Sequence, residues 1–63
     1  MLTPRQEEIL IMLANGSPWK EIIHRLGISR NTLHNHIRAI REQLNAQNTT
    51  HAVSLAIRQG VIR

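Results

Sequence analysis

The chain has 63 residues, eight Lys or Arg against four acidic side chains, a formal net charge of +4 and no cysteine. That length holds one domain, spanning 1–63. A domain this small buries only about 60% of its unfolded surface, which leaves little room for a deep substrate pocket. Disulfides, thiolate metal sites and cysteine nucleophiles are excluded. No apolar run approaches the ~20 residues that span a bilayer, and the N-terminus lacks a charged-then-apolar leader. The expected location is the cytoplasm, at the nucleoid if the partner is DNA, with no membrane partner. Seven of the basic residues are Arg and Lys20 is the single lysine, whereas the acids are Glu7, Glu8, Glu21 and Glu42. Guanidinium forks suit phosphate oxygens and base edges, so a nucleic acid is one candidate partner.

The first element opens at "LTPRQ". Thr3 before Pro4, with Gln6 three residues after Thr3, forms a helix start with a capping box. Ile9, Leu10 and Leu13 follow at the spacing of one helical face. Asn15-Gly16 closes the helix, since both residues tolerate positive φ. Ser17 then caps a second helix, with Pro18 at its first position and Trp19, Ile22, Ile23 and Leu26 on its apolar side. Trp19 is the only Trp, Tyr or Phe and reads as core or boundary packing. Gly27 ends this helix, Ile28 is the apolar residue of the turn, and Ser29 caps a third helix. There Leu33, Ile37, Ile40 and Leu44 make one narrow stripe, and Asn45 takes the left-handed conformation that stops it. After the polar "NAQNTT", Asn48 or Thr49 caps a fourth helix through Val53, Ala56 and Ile57 to Gly60. Arg58 and Arg63 favour its C-terminal end through the helix dipole. The expected helices are about 4–14, 18–26, 30–44 and 49–59. The fold class is all-α, a four-helix (tetrahelical) arrangement.

The third helix contains His34 and His36 in "LHNHI". On a helix these rings point about 200° apart, so they cannot chelate one ion. A helical pair would need a spacing such as i, i+4. No metal site and no cofactor are expected. His36 lies nearer the apolar stripe and reads as structural. His34 lies on the other side with Arg30, Arg38 and Arg41, flanked by Asn31 and Asn35, with Glu42 as the sole counter-charge. Such a face is often merely solvated. Arg and Asn are also the side chains that pair bidentately with guanine and adenine edges in the major groove. A helix, a Gly-containing turn and a second helix with a basic and amide face form the helix-turn-helix pattern, in which the second helix enters the groove.

"LTPRQEEIL", "ANGSPWKEIIHRLGIS" and "NTLHNHIRAIREQLNAQNTTHAV" resemble the LuxR-type (LuxR/FixJ) helix-turn-helix domain of bacterial transcription regulators, from Leu2 to about Ile62. Leu2-Thr3, Glu8, Leu10, Gly16, Lys20-Glu21-Ile22, Leu26-Gly27-Ile28-Ser29, Thr32, His36, Ile40 and Leu44 fall in order on that family's pattern. The resemblance implies sequence-specific binding of double-stranded DNA by the third helix. It also implies a homodimer through the fourth helix, and a regulatory domain or RNA polymerase as further partners. By carry-over, Lys20 and Thr32 hold phosphates, and positions 34, 35 and 38 face bases. His34 and Asn35 stand where the family usually has Lys and an apolar residue. Pro18-Trp19 replace a polar capping pair, and Ile23 replaces a small residue.

The expected assignment is therefore His34, Asn35 and Arg38 at base edges, with Lys20, Arg30, Asn31, Thr32 and Arg41 at phosphates. Ala52, Leu55 and Ala56 are expected at the dimer interface, set against a reading in which Ala56 faces the core and Leu55 is a scattered surface residue. A monomer neutralising about 4 phosphates gives a log–log salt slope of roughly −3.6. Two rival readings remain: a helical protein-interaction module acting as an anti-activator of another regulator, and a sigma-factor-like region. No Ser/His/Asp set, Gly-rich phosphate loop or paired carboxylates point to an enzyme.

Overall fold

A computed structural model describes residues 2–62; Met1 and Arg63, the latter expected beside the fourth helix, lie outside the described residues. Four helices follow one another: α1 (Pro4–Ala14), α2 (Trp19–Leu26), α3 (Arg30–Leu44) and α4 (Thr49–Arg58). Their ends are set by local chemistry. At α1 the Thr3 N–H donates to Gln6 Oε1 at 3.0 Å and the Gln6 N–H donates to Thr3 Oγ1 at 3.1 Å. This is the reciprocal capping box, with Pro4 supplying the first helical φ. Ser29 Oγ accepts from the Thr32 N–H at 3.0 Å, and Asn48 Oδ1 accepts from the His51 N–H at 2.8 Å. Helices α3 and α4 thus each begin on a side-chain cap.

Helix α1 stops at Asn15-Gly16 as expected, with Asn15 the C-cap at φ −84° and Gly16 supplying the positive φ, 82°; the expected cap of α2 is corrected. The Gly16 N–H bonds to Leu13 O and the Ser17 N–H to Met12 O, both at 3.0 Å, a double closure that leaves the Ser17 backbone bound to α1. Ser17 does not cap α2. Pro18 is itself extended, at φ −70°, ψ 156°, and occupies the cap position with no side-chain cap; its carbonyl accepts from the Glu21 and Ile22 N–H groups, so α2 starts one residue later than expected, at Trp19. Helix α3 ends as expected, with Asn45 left-handed at φ 56°, ψ 43°.

Packing places α3 at the centre, against each of the other three helices, with α4 also against α1. The core is aliphatic. Ile9, Leu10, Ile22, Leu33 and Ile40 are fully buried, joined by Leu2, Met12, Ile37, Ala52, Ala56 and Ile62. Each fully buried Leu or Ile contributes about 1.5–3 kcal/mol. No polar side chain is buried among the described residues. On α1 the buried set includes Met12, whereas Leu13 is only half-buried. On α4, Ile57 is 50% exposed instead of packed.

The α2–turn–α3 unit has its own device. Gly27 sits at φ 65°, ψ 35°, and its N–H returns to Ile23 O. A side chain here would strain the backbone even though no neighbour crowds the position. Ile28 packs its side chain against the core. The turn therefore delivers Ser29 directly to its cap position, and α3 leaves with one face committed to the interior.

Candidate nucleic-acid interface

Leu33, Ile37 and Ile40 bury one side of α3. Periodicity then sends Asn31, Asn35, Arg38 and Glu42 to the opposite side, and all four are exposed. Arg30 and His34 are exposed on one flank, and Thr32 is half-buried on the other. His36 is half-buried, as a structural histidine should be, and the described residues hold no group of three or more His, Cys, Asp or Glu able to take a metal.

The basic residues divide by what they touch. Arg5 lies 3.4 Å from Glu8, and Arg25 lies 3.9 Å from Glu21. Both pairs are solvent-exposed and weakly stabilising, but they neutralise the α1 and α2 surfaces. Arg30, Arg38 and Lys20 have no acidic partner within ion-pair distance among the described residues. Arg58, at the end of α4, is likewise exposed and unpaired among the described residues; the other unneutralised cations lie along the first three turns of α3 and at the start of α2.

Arg41 departs from its expected place. It is half-buried, and its Nη2 donates to the Gln47 carbonyl at 2.9 Å. Its Nε is buried without a protein partner. The Gln47 N–H in turn donates to His51 Nδ1 at 3.0 Å. Arg41 and His51 thus bracket the α3–α4 connection.

Thr32 Oγ1 accepts from Ser29 Oγ at 2.9 Å, which leaves its own hydroxyl proton to donate elsewhere. Lys20 is exposed beside the one helix start without a side-chain cap; uncapped N–H groups and a positive helix end attract anions. Trp19 is half-buried against the core and reaches α3. The Arg30 guanidinium carbon lies 5.8 Å from the indole centroid, and the His34 ring centroid lies 6.3 Å away, tilted by 51°. A cleft of about 600 Å³ runs beside this cluster, with Arg38, Arg41, Glu42 and Thr49 on its walls.

Two of the three residues expected at the dimer interface are buried inside the domain. Ala52 is 2% and Ala56 0% exposed; their small side chains let α4 lie close against the rest of the domain. For Ala56 the structure matches the alternative reading, in which it faces the core, and Ala52 is buried beside it. Leu55 is half-buried on the flank. The outward side of α4 carries Thr50, Ser54 and Ile57, a spacing that a helical wheel on the buried Ala52–Ala56 pair would have shown. The Trp19–Arg30–His34 cluster was not visible beforehand, because it depends on the relative placement of α2 and α3.

A four-helix core with an exposed, acid-poor basic and amide face on the second helix of a helix-turn-helix unit defines a tetrahelical helix-turn-helix domain. The chain belongs to the luxR family of bacterial regulatory proteins, whose pattern matches residues 1–56. It is 43% identical over 61 residues to the uncharacterized transcriptional regulatory protein YvfU of Bacillus subtilis, covering 97% of this chain and 30% of that protein. It is 36% identical over 62 residues to the transcriptional activator protein ExaE of Pseudomonas putida, covering 98% and 29% respectively. With the uncharacterized response regulatory protein YgeK of Escherichia coli it shares 37% identity over 60 residues, covering 95% and 41%. The chain therefore spans well under half the length of these relatives. Among solved structures there is no significant match.

Proposed function

We propose that this domain binds double-stranded DNA selectively and regulates transcription, with α3 lying in the major groove. The observation that carries this reading is the exposed stripe of Asn31, Asn35 and Arg38, bordered by Arg30 and His34, on a helix whose other side is fully packed. A packed helix with an unpartnered hydrogen-bonding face is rigid and narrow enough for the groove. Arg38, Asn35 and His34 read base edges. Lys20 and Arg30 attract phosphates, and Asn31 and Thr32 add neutral hydrogen bonds to the backbone. Arg41 holds the α3–α4 connection, and we assign it no phosphate.

One short helix selects too few base pairs to define a genomic site. Two copies on a pseudo-palindrome supply the rest, meeting through the outer side of α4, where Ile57 is the large exposed apolar side chain. Membership of a family of regulatory proteins supports the reading.

The test is a gel shift with mixed duplexes at moderate salt, followed by selection from a random duplex pool. A two-fold symmetric motif whose strongest positions weaken in Arg38→Ala is expected. No retained DNA, or binding indifferent to Arg38→Ala, would replace this reading with a protein-interaction module.

A further inference from the structure

Trp19 is the one large aromatic side chain in the molecule, yet it is not sunk in the core. It opens α2, and its indole leans on two residues of α3, Arg30 and His34. Those two are spaced i, i+4 and so share one side of that helix. The Arg30 distance of 5.8 Å falls within the range of a cation–π contact. The His34 distance of 6.3 Å falls within that of a tilted aromatic pair. Neither residue has another side-chain hydrogen bond or ion pair among the described residues. Without the indole, a long guanidinium at the first position of α3 would sample many rotamers and lose that freedom on binding.

We propose that Trp19 is a positioning residue of the DNA-binding face: its indole holds the Arg30 guanidinium and the His34 imidazole where they meet the phosphate backbone and a base edge. This rests on the DNA-binding reading above. Arg30 stays over the indole in the complex, because at 5.8 Å from the ring centre its N–H groups are left free for phosphate oxygens. Trp19 itself touches no base, since duplex bases are stacked and offer only their edges. The cleft beside it is walled by Arg38 and Arg41 as well as Glu42, so an approaching phosphate meets net positive charge there.

The test uses the 63-residue chain and a fluorescein-labelled 20-base-pair mixed-sequence duplex (probe length about two helical turns), read by anisotropy at low salt, with far-UV circular dichroism of each variant. Trp19→Leu is expected to bind roughly two- to fivefold more weakly, the scale of one exposed cation–π contact, and Trp19→Phe to recover most of the loss. In an Arg30→Gln/His34→Gln background, Trp19→Leu is expected to change nothing further. Arg30→Lys, which keeps the charge and loses the planar guanidinium over the indole, is expected to weaken binding by a similar factor and carries the test if Trp19→Leu does not fold. Equal loss from Trp19→Leu in both backgrounds would make Trp19 a packing residue only. Wild-type affinity in both Trp19→Leu and Arg30→Lys, or tighter binding in Trp19→Leu, would overturn the proposal while leaving DNA binding intact. A wild-type chain that does not bind the duplex would remove the DNA-binding reading itself.

Discussion

Arg41→Gln separates two roles that a basic residue on a recognition helix can have. In the structure its Nη2 is given to the Gln47 carbonyl at 2.9 Å, and its Nε is enclosed. If Arg41 is a clamp, the substitution removes one charge-assisted hydrogen bond at a partly solvated site. We set that at about 1 kcal/mol, equivalent to a fall in Tm of roughly 4–8 °C for a domain of this size. The DNA salt dependence then comes from Lys20 and Arg30. Two neutralised phosphates per domain give a log–log slope of roughly −1.8, which Arg41→Gln leaves in place. The affinity falls by one factor at every salt concentration, because fewer molecules hold the α3–α4 connection in the competent form.

The assay is duplex binding by anisotropy across a salt series, beside thermal melts of both proteins. If Arg41 instead contacts a phosphate, the wild-type slope is roughly −2.7 and the variant's is shallower by about 0.9. A shallower slope with an unchanged Tm would refute the clamp.

Arg38→Ala and Asn35→Ala should each lose about 1–3 kcal/mol of discrimination at one base position while retaining weak general binding, as read by selection from a random pool; an unchanged motif would remove them from the base-reading set. Ile57→Glu should abolish cooperative binding to paired half-sites without lowering Tm, and Ala56→Leu should do the reverse, costing about 1–3 kcal/mol of stability by overpacking; sedimentation and melting distinguish them, and cooperative binding by Ile57→Glu would move the dimer surface elsewhere.

The helix boundaries were legible because they depend on residues within one turn of each other. Thr3 and Gln6, Ser29 and Thr32, and Asn45 act on their immediate neighbours, so their chemistry is visible in order along the chain. Ser17 fails as a cap because Pro18 is extended instead of helical, which moves the start of α2 one residue on, to Trp19. The outward face of α3 was legible from period alone, since Leu33, Ile37 and Ile40 leave only one direction for Asn35 and Arg38. Properties that depend on how two helices meet were not. Whether Ala52 and Ala56 face the domain or a second copy, whether Arg41 turns to solvent or to Gln47, and what Trp19 touches are all set by packing between segments distant in sequence.

The first turn of α3 departs from what stability alone would favour. Helices α1 and α2 each carry an acid in the first turn, Glu7 and Glu21, which suits the positive end of a helix dipole. Helix α3, like α4, carries none there, and α3 alone begins on a cation, Arg30. A cation at that end is unfavourable by about 0.3–1 kcal/mol in the free protein. The same arrangement attracts an arriving anion with both the guanidinium and the dipole. Asn31→Glu should therefore raise stability by about 0.3–1 kcal/mol, a rise in Tm of a few degrees, while leaving Arg30 on Trp19. It should also weaken duplex binding tenfold or more, because a carboxylate then faces the phosphates, and like-charge contacts cost on the order of several kcal/mol. Thermal melts and duplex titration of the same sample measure both effects. A stabilised variant that binds DNA as tightly as the parent would mean that the N-terminal turn of α3 does not lie against the double helix.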